Sequence, residues 1–229
     1  MALMWILTTR NRPARCQEVL DACLATRVST PGIVWMDGCD YGPLRLPEGW
    51  IARADPIHRN LGEILRACFA NLPTLPWYGW MADDCPPCST GWDTRLIASA
   101  GRWGLAYPDD QWQRGVKERD GTPHVTSICC FGGELLRTMG FWTLPEQIQM
   151  YLDDVWESVA VPLGLMRYCP EVVSEHRHFA NGKRPPDSTD TREFKGVSFP
   201  QHDRDRYEAW LMSQDYTETL VRVREAMRA

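Results

Sequence analysis

Leu3-Met4-Trp5-Ile6-Leu7-Thr8, closed by Thr9-Arg10-Asn11-Arg12-Pro13, is the stretch on which the fold class turns. A short apolar run stopped by polar residues and a proline predicts a strand buried on both faces. Behind it, Cys16, Val19, Leu20, Cys23 and Leu24 recur at i, i+3, i+4, i+7 and i+8, the stripe of an amphipathic helix. Gly32 to Met36 is a second apolar run, closed by Asp37-Gly38. Strand, helix and strand at this spacing form a βαβ unit with parallel strands and a right-handed crossover.

The alternation continues downstream. Leu61, Ile64, Leu65, Cys68, Phe69 and Leu72 predict a second helix, capped by Asn60. Trp77 to Ala82 predicts a strand that stops at Asp83-Asp84. A helix from Thr90 to Ala100, a short strand at Leu105 to Tyr107, a polar loop from Asp109 to Gly121 and a strand from Val125 to Phe131 follow. Ile148, Leu152, Val155, Trp156, Val159 and Leu163 predict a third amphipathic helix, and Leu165 to Tyr168 a late strand. The polar stretch from His178 to Asp205 reads as loop. From Asp205 on, one helix is expected, with Tyr207, Trp210, Leu211, Leu220 and Val221 inward. Such alternation predicts an α/β fold with a mainly parallel, Rossmann-like central sheet and helices on both faces. Ligands of such sheets sit beyond the carboxyl ends of the strands, which singles out Thr8 to Arg12, Asp37 and Asp83-Asp84.

A chain of 229 residues fits a single domain of this kind, with 44% apolar and 24% charged residues as in soluble proteins. The net charge of −5, without a basic tail, argues against a broad nucleic-acid surface. No apolar run approaches the roughly 20 residues of a membrane span. The first residues lack the basic segment of a signal peptide, so a cytoplasmic protein is expected. Nine cysteines are then expected reduced. Cys85-Pro-Pro-Cys88 has redox or zinc spacing, but Cys129-Cys130 are adjacent and do not supply the second pair of a zinc ribbon. Eleven tryptophans suit sugar or base pockets, although core filling is the commoner use of any one of them.

Adjacent carboxylates such as Asp83 and Asp84 repel unless a cation lies near them, and Mg²⁺ or Mn²⁺ with oxygen ligands would neutralise them. An isolated pair can equally be a turn with an Asp helix cap. The surrounding motifs add to the first reading. The N-terminal half resembles the nucleotide-sugar-binding half of GT-A glycosyltransferases, especially the family 2 type. Thr8-Thr9-Arg10-Asn11-Arg12-Pro13 matches the turn after the opening strand, Asp37 the acid that contacts the base, Arg59-Asn60-Leu61-Gly62 the Arg-Asn-x-Gly segment, and Asp83-Asp84 the metal-binding acids. The resemblance implies a GT-A fold, with residues 1–100 as the nucleotide-sugar half, 101–180 as the acceptor and catalytic half, and 181–229 as a polar loop and C-terminal helix. It also implies that Thr8, Thr9, Arg10, Asn11, Arg12, Asp37, Arg59, Asn60 and Asp83 contact the donor.

In the second half, Asp153-Asp154 resembles the family's acidic pair at a helix start, whose second member commonly acts as base in inverting enzymes. Asp154 is therefore the expected base and Asp153 its reserve; by itself the pair could simply be an acidic first turn favoured by the helix dipole. A later histidine often completes the metal site, which makes His176 and His178 candidates beside Asp83 and Asp84. The expected activity is transfer of a sugar from a nucleotide-sugar, with uridine diphosphate as the expected nucleotide, by a Mn²⁺- or Mg²⁺-dependent enzyme. The acceptor is a glycan, a small molecule or a modified DNA base, the last recommended by Arg177, Lys183 and Arg184 in one loop. Three readings compete: a nucleotidyltransferase, disfavoured because Thr8 to Arg15 lacks glycine, a non-catalytic nucleotide-sugar-binding module, and a redox protein suggested by Cys85 and Cys88.

Overall fold

The computed structural model describes residues 3–38, 42–57, 59–71, 74–113, 124–187, 190, 193–194 and 197–229. A seven-stranded sheet runs through the middle, in the order β3-β2-β1-β4-β6-β5-β7. Its strands are β1 (Leu3–Thr9), β2 (Gly32–Asp37), β3 (Trp50–Asp55), β4 (Trp77–Ala82), β5 (Leu105–Asp109), β6 (Ile128–Gly132) and β7 (Met166–Val173). All run parallel except β6, which is antiparallel to both neighbours. The sheet is thus the mainly parallel one expected, with one reversed strand.

Alternation along β1 explains its continuous apolar run. Trp5 and Leu7 point into one core layer and Ile6 into the other, all at 0% exposure. The first layer lies under α1 (Pro13–Ala25) and α3 (Trp92–Ala100), where Trp5 meets Trp92 at 4.5 Å between ring centroids. The second lies under α2 (Leu61–Asn71), α4 (Gly133–Met139) and α5 (Leu152–Ala160) and is built around Tyr78, Phe131, Trp142 and Trp156. Core filling is therefore the use of Trp5, Trp92 and Trp142, none of which lines the cleft described below.

The segment from Arg59 to Gly62 is built as a helix start. Asn60 Oδ1 accepts from Glu63 N–H at 2.7 Å, and Glu63 Oε2 accepts from Asn60 N–H at 3.0 Å. This reciprocal capping box satisfies two otherwise orphaned donors. Gly62 N–H donates to Ile148 O at 2.8 Å, and a Cβ on Gly62 would stand 2.0 Å from Gln147 O. Glycine is needed there because the loop ahead of α5 packs directly on the helix backbone.

Several sequence expectations are corrected. Strand β3 was not foreseen: it is an edge strand whose four central residues are exposed, so it carries no apolar run. The predicted third helix is shorter than its stripe. Ile148 lies in the preceding loop, and α5 begins after Tyr151, whose φ of 60° is left-handed. The C-terminal helix is two helices, α6 (Phe199–Leu211) and α7 (Gln214–Ala226), parted at Ser213, whose side chain caps the second. The break changes the phase, so Val223 is buried and Val221 is exposed. Helix α6 also starts earlier than Asp205 and contains Asp203, a fully buried acid that accepts from the backbone N–H of Ile148, Gln149 and Met150 at 2.8, 2.7 and 2.8 Å. Asp203 thereby anchors the loop that delivers α5. Among the described residues the cysteines are free, and no helix is long and apolar enough to cross a membrane.

Candidate active site

At the carboxyl ends of the parallel strands lies a cleft of about 420 Å³. Strand β1 and its turn supply Thr8, Thr9, Arg10 and Arg12; β2 supplies Asp37; β4 supplies Ala82 and leads into Asp83 and Asp84. Because β6 runs the other way, its N-terminal approach reaches the same edge and adds His124, Val125, Thr126 and Ser127. The start of α5 adds Asp153, and the segment after β7 adds His176, His178 and Arg184. Of the predicted residues, Arg59 also lines this cleft.

Three predicted residues do not line it. Asn11 is exposed at a left-handed φ of 54°, a conformation asparagine tolerates, and it shapes the turn. Asn60 is the helix cap described above. Asp154 is one residue beyond Asp153 on α5, and the helical turn carries it out of the lining.

Asp83 and Asp84 have different surroundings. Asp83 Oδ2 accepts from Thr9 Oγ1 at 2.7 Å, and Oδ1 from Arg12 Nη1 at 3.1 Å. Burial pushes the Asp83 carboxyl up, against the opposing pull of Arg12 and Thr9. The Asp84 oxygens stand 3.9 Å from His176 Nε2 and 3.7 Å from Arg184 Nη2. Arg12 reaches further, to Asp187 at 3.0 Å and Asp190 at 2.7 Å, and Arg184 bonds Asp190 on both of its oxygens.

The two histidines differ in what they can offer. His176 Nδ1 faces Asp110 Oδ2 at 3.2 Å, and Asp110 also accepts from Trp112 and Gln113 N–H at 3.0 and 2.8 Å. With the Nδ1 proton given to Asp110, the Nε2 lone pair faces Ser127 Oγ and Asp84. His178 Nδ1 accepts from Ala180 N–H at 3.1 Å while its ring stacks on Trp112 at 5.4 Å. That bond leaves the proton on Nε2, so His178 must release Ala180 before it can ligate. Asp37, at 4% exposure, accepts from Arg59 N–H at 2.5 Å, and the Arg59 guanidinium bonds Asp55 at 2.8 Å.

Sequence reasoning missed His124, Glu157, Asp110, Asp187 and Asp190. Glu157 is 5% exposed and bonds His124 Nδ1 at 2.8 Å, and His124 Nε2 lies 3.6 Å from Asp153 Oδ2. One ligand atom each from His124, Asp153 and Glu157 lie within 4.8 Å of one another. The Asp153 carboxyl is pushed up to about 6 by desolvation and by Asp154 and Glu157, with His124 opposing.

The basic residues that recommended a DNA acceptor are engaged by acids. Arg177 bonds Glu175 and Glu18 at 2.8 and 3.1 Å, Lys183 lies 3.4 Å from Glu175, and Arg184 is held by Asp190. The Cys85 thiol is buried against Ser174 and raised well above its usual value by burial, opposite to a redox nucleophile.

No protein-family model and no curated protein matches the sequence. Solved structures do match. S. aureus TarS 1-349 in complex with UDP-GlcNAc aligns at TM-score 0.62 and 11% identity, covering 96% of this chain and 70% of that one. Glucosyl-3-phosphoglycerate synthase from Mycobacterium tuberculosis, in complex with Mn²⁺, UDP and glucosyl-3-phosphoglycerate, aligns at 0.53 and 14% identity over 77% of this chain and 72% of that one. The chain has the GT-A fold. A third GT-A structure, GalNAc-T7 with UDP, GalNAc and Mn²⁺, aligns at 0.57 and 10% identity over 98% of this chain and 54% of that one. The chain spans 36% and 59% of two further TarS structures.

Proposed function

We propose that this chain is a metal-dependent glycosyltransferase that moves a sugar from a UDP-sugar to a hydroxyl acceptor, with inversion at the anomeric carbon. The observation that carries this reading is one cleft that gathers Asp37, Asp84, His176 and Asp153 on a GT-A sheet. Its volume of about 420 Å³ lies in the range of small-molecule sites. GT-A structures in complex with UDP and Mn²⁺ support the choice of nucleotide and cation.

The residues fit a divalent cation. Asp84 brings hard carboxylate oxygens with no hydrogen bond as short as those of Asp83, and His176 brings an Nε2 lone pair because Asp110 holds Nδ1. Asp84 and His176 would hold the ion, with Asp83 beside them tied to Thr9 and Arg12. When bound, Mn²⁺ or Mg²⁺ supplies Lewis-acid stabilisation of the leaving diphosphate.

The chain's own groups do the rest. Asp37 accepts the imide hydrogen of uracil. Arg12 and Arg184 line the cleft paired with Asp187 and Asp190, and they meet the diphosphate by exchanging those carboxylates for it. Asp153 accepts the proton of the attacking hydroxyl, taking the role that sequence reasoning assigned first to Asp154. The neutralised basic loop favours a glycan or small-molecule acceptor over a modified DNA base. A compartment inside the cell remains part of this proposal.

The test is hydrolysis of UDP-sugars with and without Mn²⁺. Turnover that stops in excess EDTA supports the reading. Full activity in EDTA overturns its metal dependence, and binding without turnover of any UDP-sugar favours a non-catalytic module.

A further inference from the structure

Glu157 lies behind the cleft wall, and His124 and Asp153 line it. The single oxygen Glu157 Oε1 accepts from Val125 N–H at 2.7 Å and from His124 Nδ1 at 2.8 Å. The backbone amide fixes the carboxylate, and the carboxylate takes the Nδ1 proton of the ring. The tautomer this selects leaves Nε2 as the nitrogen that faces Asp153 Oδ2, 3.6 Å away. The three groups therefore stand in sequence from the protein interior to the cleft: carboxylate, imidazole, carboxylate. A buried acid that orients an imidazole toward a reacting group is the logic of a catalytic triad, with a carboxylate as the outermost member.

We infer that His124 and Glu157 are a positioning pair for Asp153: Glu157 fixes the ring, and His124 Nε2, an acceptor 3.6 Å from Asp153 Oδ2, takes over the proton that Asp153 removes. This rests on the transferase reading above. The acceptor oxygen forms its bond to the anomeric carbon as its proton passes to Asp153. The bond from that carbon to the diphosphate oxygen breaks, and its electron pair leaves with the nucleoside diphosphate. Asp153 then passes the proton to His124 Nε2, giving an imidazolium between two carboxylates, which returns the proton to water after product release. Among the described residues, the charged and titratable groups around Asp153 are His124 ahead of β6, Cys129 on β6, and Asp154 and Glu157 on its own helix. The 4.8 Å cluster could also be read as a cation site. The double hydrogen bond on Glu157 Oε1 favours the relay.

The experiment uses the full chain with His124→Gln and Glu157→Gln. His124→Gln leaves the Val125 bond to Glu157 in place, so one variant keeps the local frame if the other fails to fold. Nitrogen NMR of the histidine rings should find His124 in the Nδ1–H tautomer in the parent, and Glu157→Gln should abolish that preference. Carbon NMR of the Asp153 carboxyl should show its titration changed in His124→Gln, because the ring nitrogen that shares its proton is gone. In turnover, both variants should lower kcat by about 10- to 100-fold with the donor KM unchanged, less than loss of the base itself. An Nε2–H tautomer in the parent, an Asp153 titration indifferent to His124→Gln, or selective broadening of His124 by Mn²⁺ in an Asp84→Asn background would each overturn the proposal, the last in favour of a second metal site. The NMR results decide the pair without any turnover, so absence of transfer from every UDP-sugar would sink the transferase reading separately.

Discussion

Asp110 Oδ2 lies 3.2 Å from His176 Nδ1, and this contact sets which nitrogen of the ring faces Asp84. Asp110 is wholly buried and pinned by two further backbone N–H groups, so it cannot turn away. Asp110→Asn can present an amide N–H to Nδ1 and reverse the tautomer. We predict a loss of about 10- to 100-fold in Mn²⁺ affinity, the usual worth of an outer-shell partner. Calorimetric titration with Mn²⁺ checks this, and unchanged affinity in a folded variant would refute it.

Asp83 and Asp84 should respond differently to the same change. Asp84→Asn should remove Mn²⁺ binding with little effect on Tm. Asp83→Asn should lower Tm the more, since Asp83 accepts from Thr9 and Arg12 in the buried turn while the contacts of Asp84 are longer. Thermal melts and Mn²⁺ titrations on both variants make the comparison; equal melting temperatures would contradict it.

Asp37 is the basis of the nucleotide assignment. UDP should bind more tightly than GDP, and Asp37→Ala should weaken UDP while leaving Mn²⁺ affinity near the parent value. Tighter binding of GDP by the parent would show that the uracil contact is misassigned.

Transfer should depend on pH through Asp153, whose carboxyl is raised above the usual carboxylate range by desolvation and by Asp154 beside it. The base works only when ionised, so kcat/KM should rise through that raised value and fall on the acid side. The stability effect has the opposite sign. A carboxyl raised above its unfolded value stabilises the fold while protonated, and that contribution is lost as pH rises through the folded value. Asp153→Asn should therefore melt higher than the parent at pH 8 while transferring far more slowly. A variant less stable than the parent at pH 8 would contradict the assignment.

Gly62→Ala should destabilise the chain by about 1–3 kcal/mol, the usual cost of overpacking, because the added carbon meets the Gln147 carbonyl. Asn60→Ala should cost about 1 kcal/mol through loss of the cap. The Asn60 variant should bind UDP like the parent; a selective loss of UDP affinity at unchanged Tm would return Asn60 to the donor site.

What could be read in the sequence followed from burial on two sides. Strands β1, β2 and β4 are buried enough to show as apolar runs, and α1 and α2 each face one core layer, so their stripes show as well. Strand β3 offers no such run because its central residues face solvent, and α4, at seven residues, is too short for a stripe. In the site, motifs at strand ends were legible because position along a strand is a local property. The partners were not: Asp110 meets His176 across 66 positions, His124 meets Glu157 across 33, and Arg12 meets Asp187 across 175. Nothing in the local pattern of a lone His124 or Asp110 marks it. Asp153 lines the cleft and Asp154 does not for a related reason: the left-handed Tyr151 sets where α5 begins, and a shift of one residue turns a helical side chain by about 100°.

The reversal of β6 separates the two walls of the cleft in their means of support. On the side of β1, β2 and β4 the chain departs from the core, and each cleft-lining group hangs on the end of a strand already paired with its neighbours. On the other side the chain is still arriving, and residues 124–127 take their places before the strand that anchors them has begun. Changes in the residues leading into β6 can therefore alter what meets His124 and Asp153 without altering the register of β1, β2 or β4. In the proposed transferase, such a scaffold keeps its donor site while the residues on the acceptor side change.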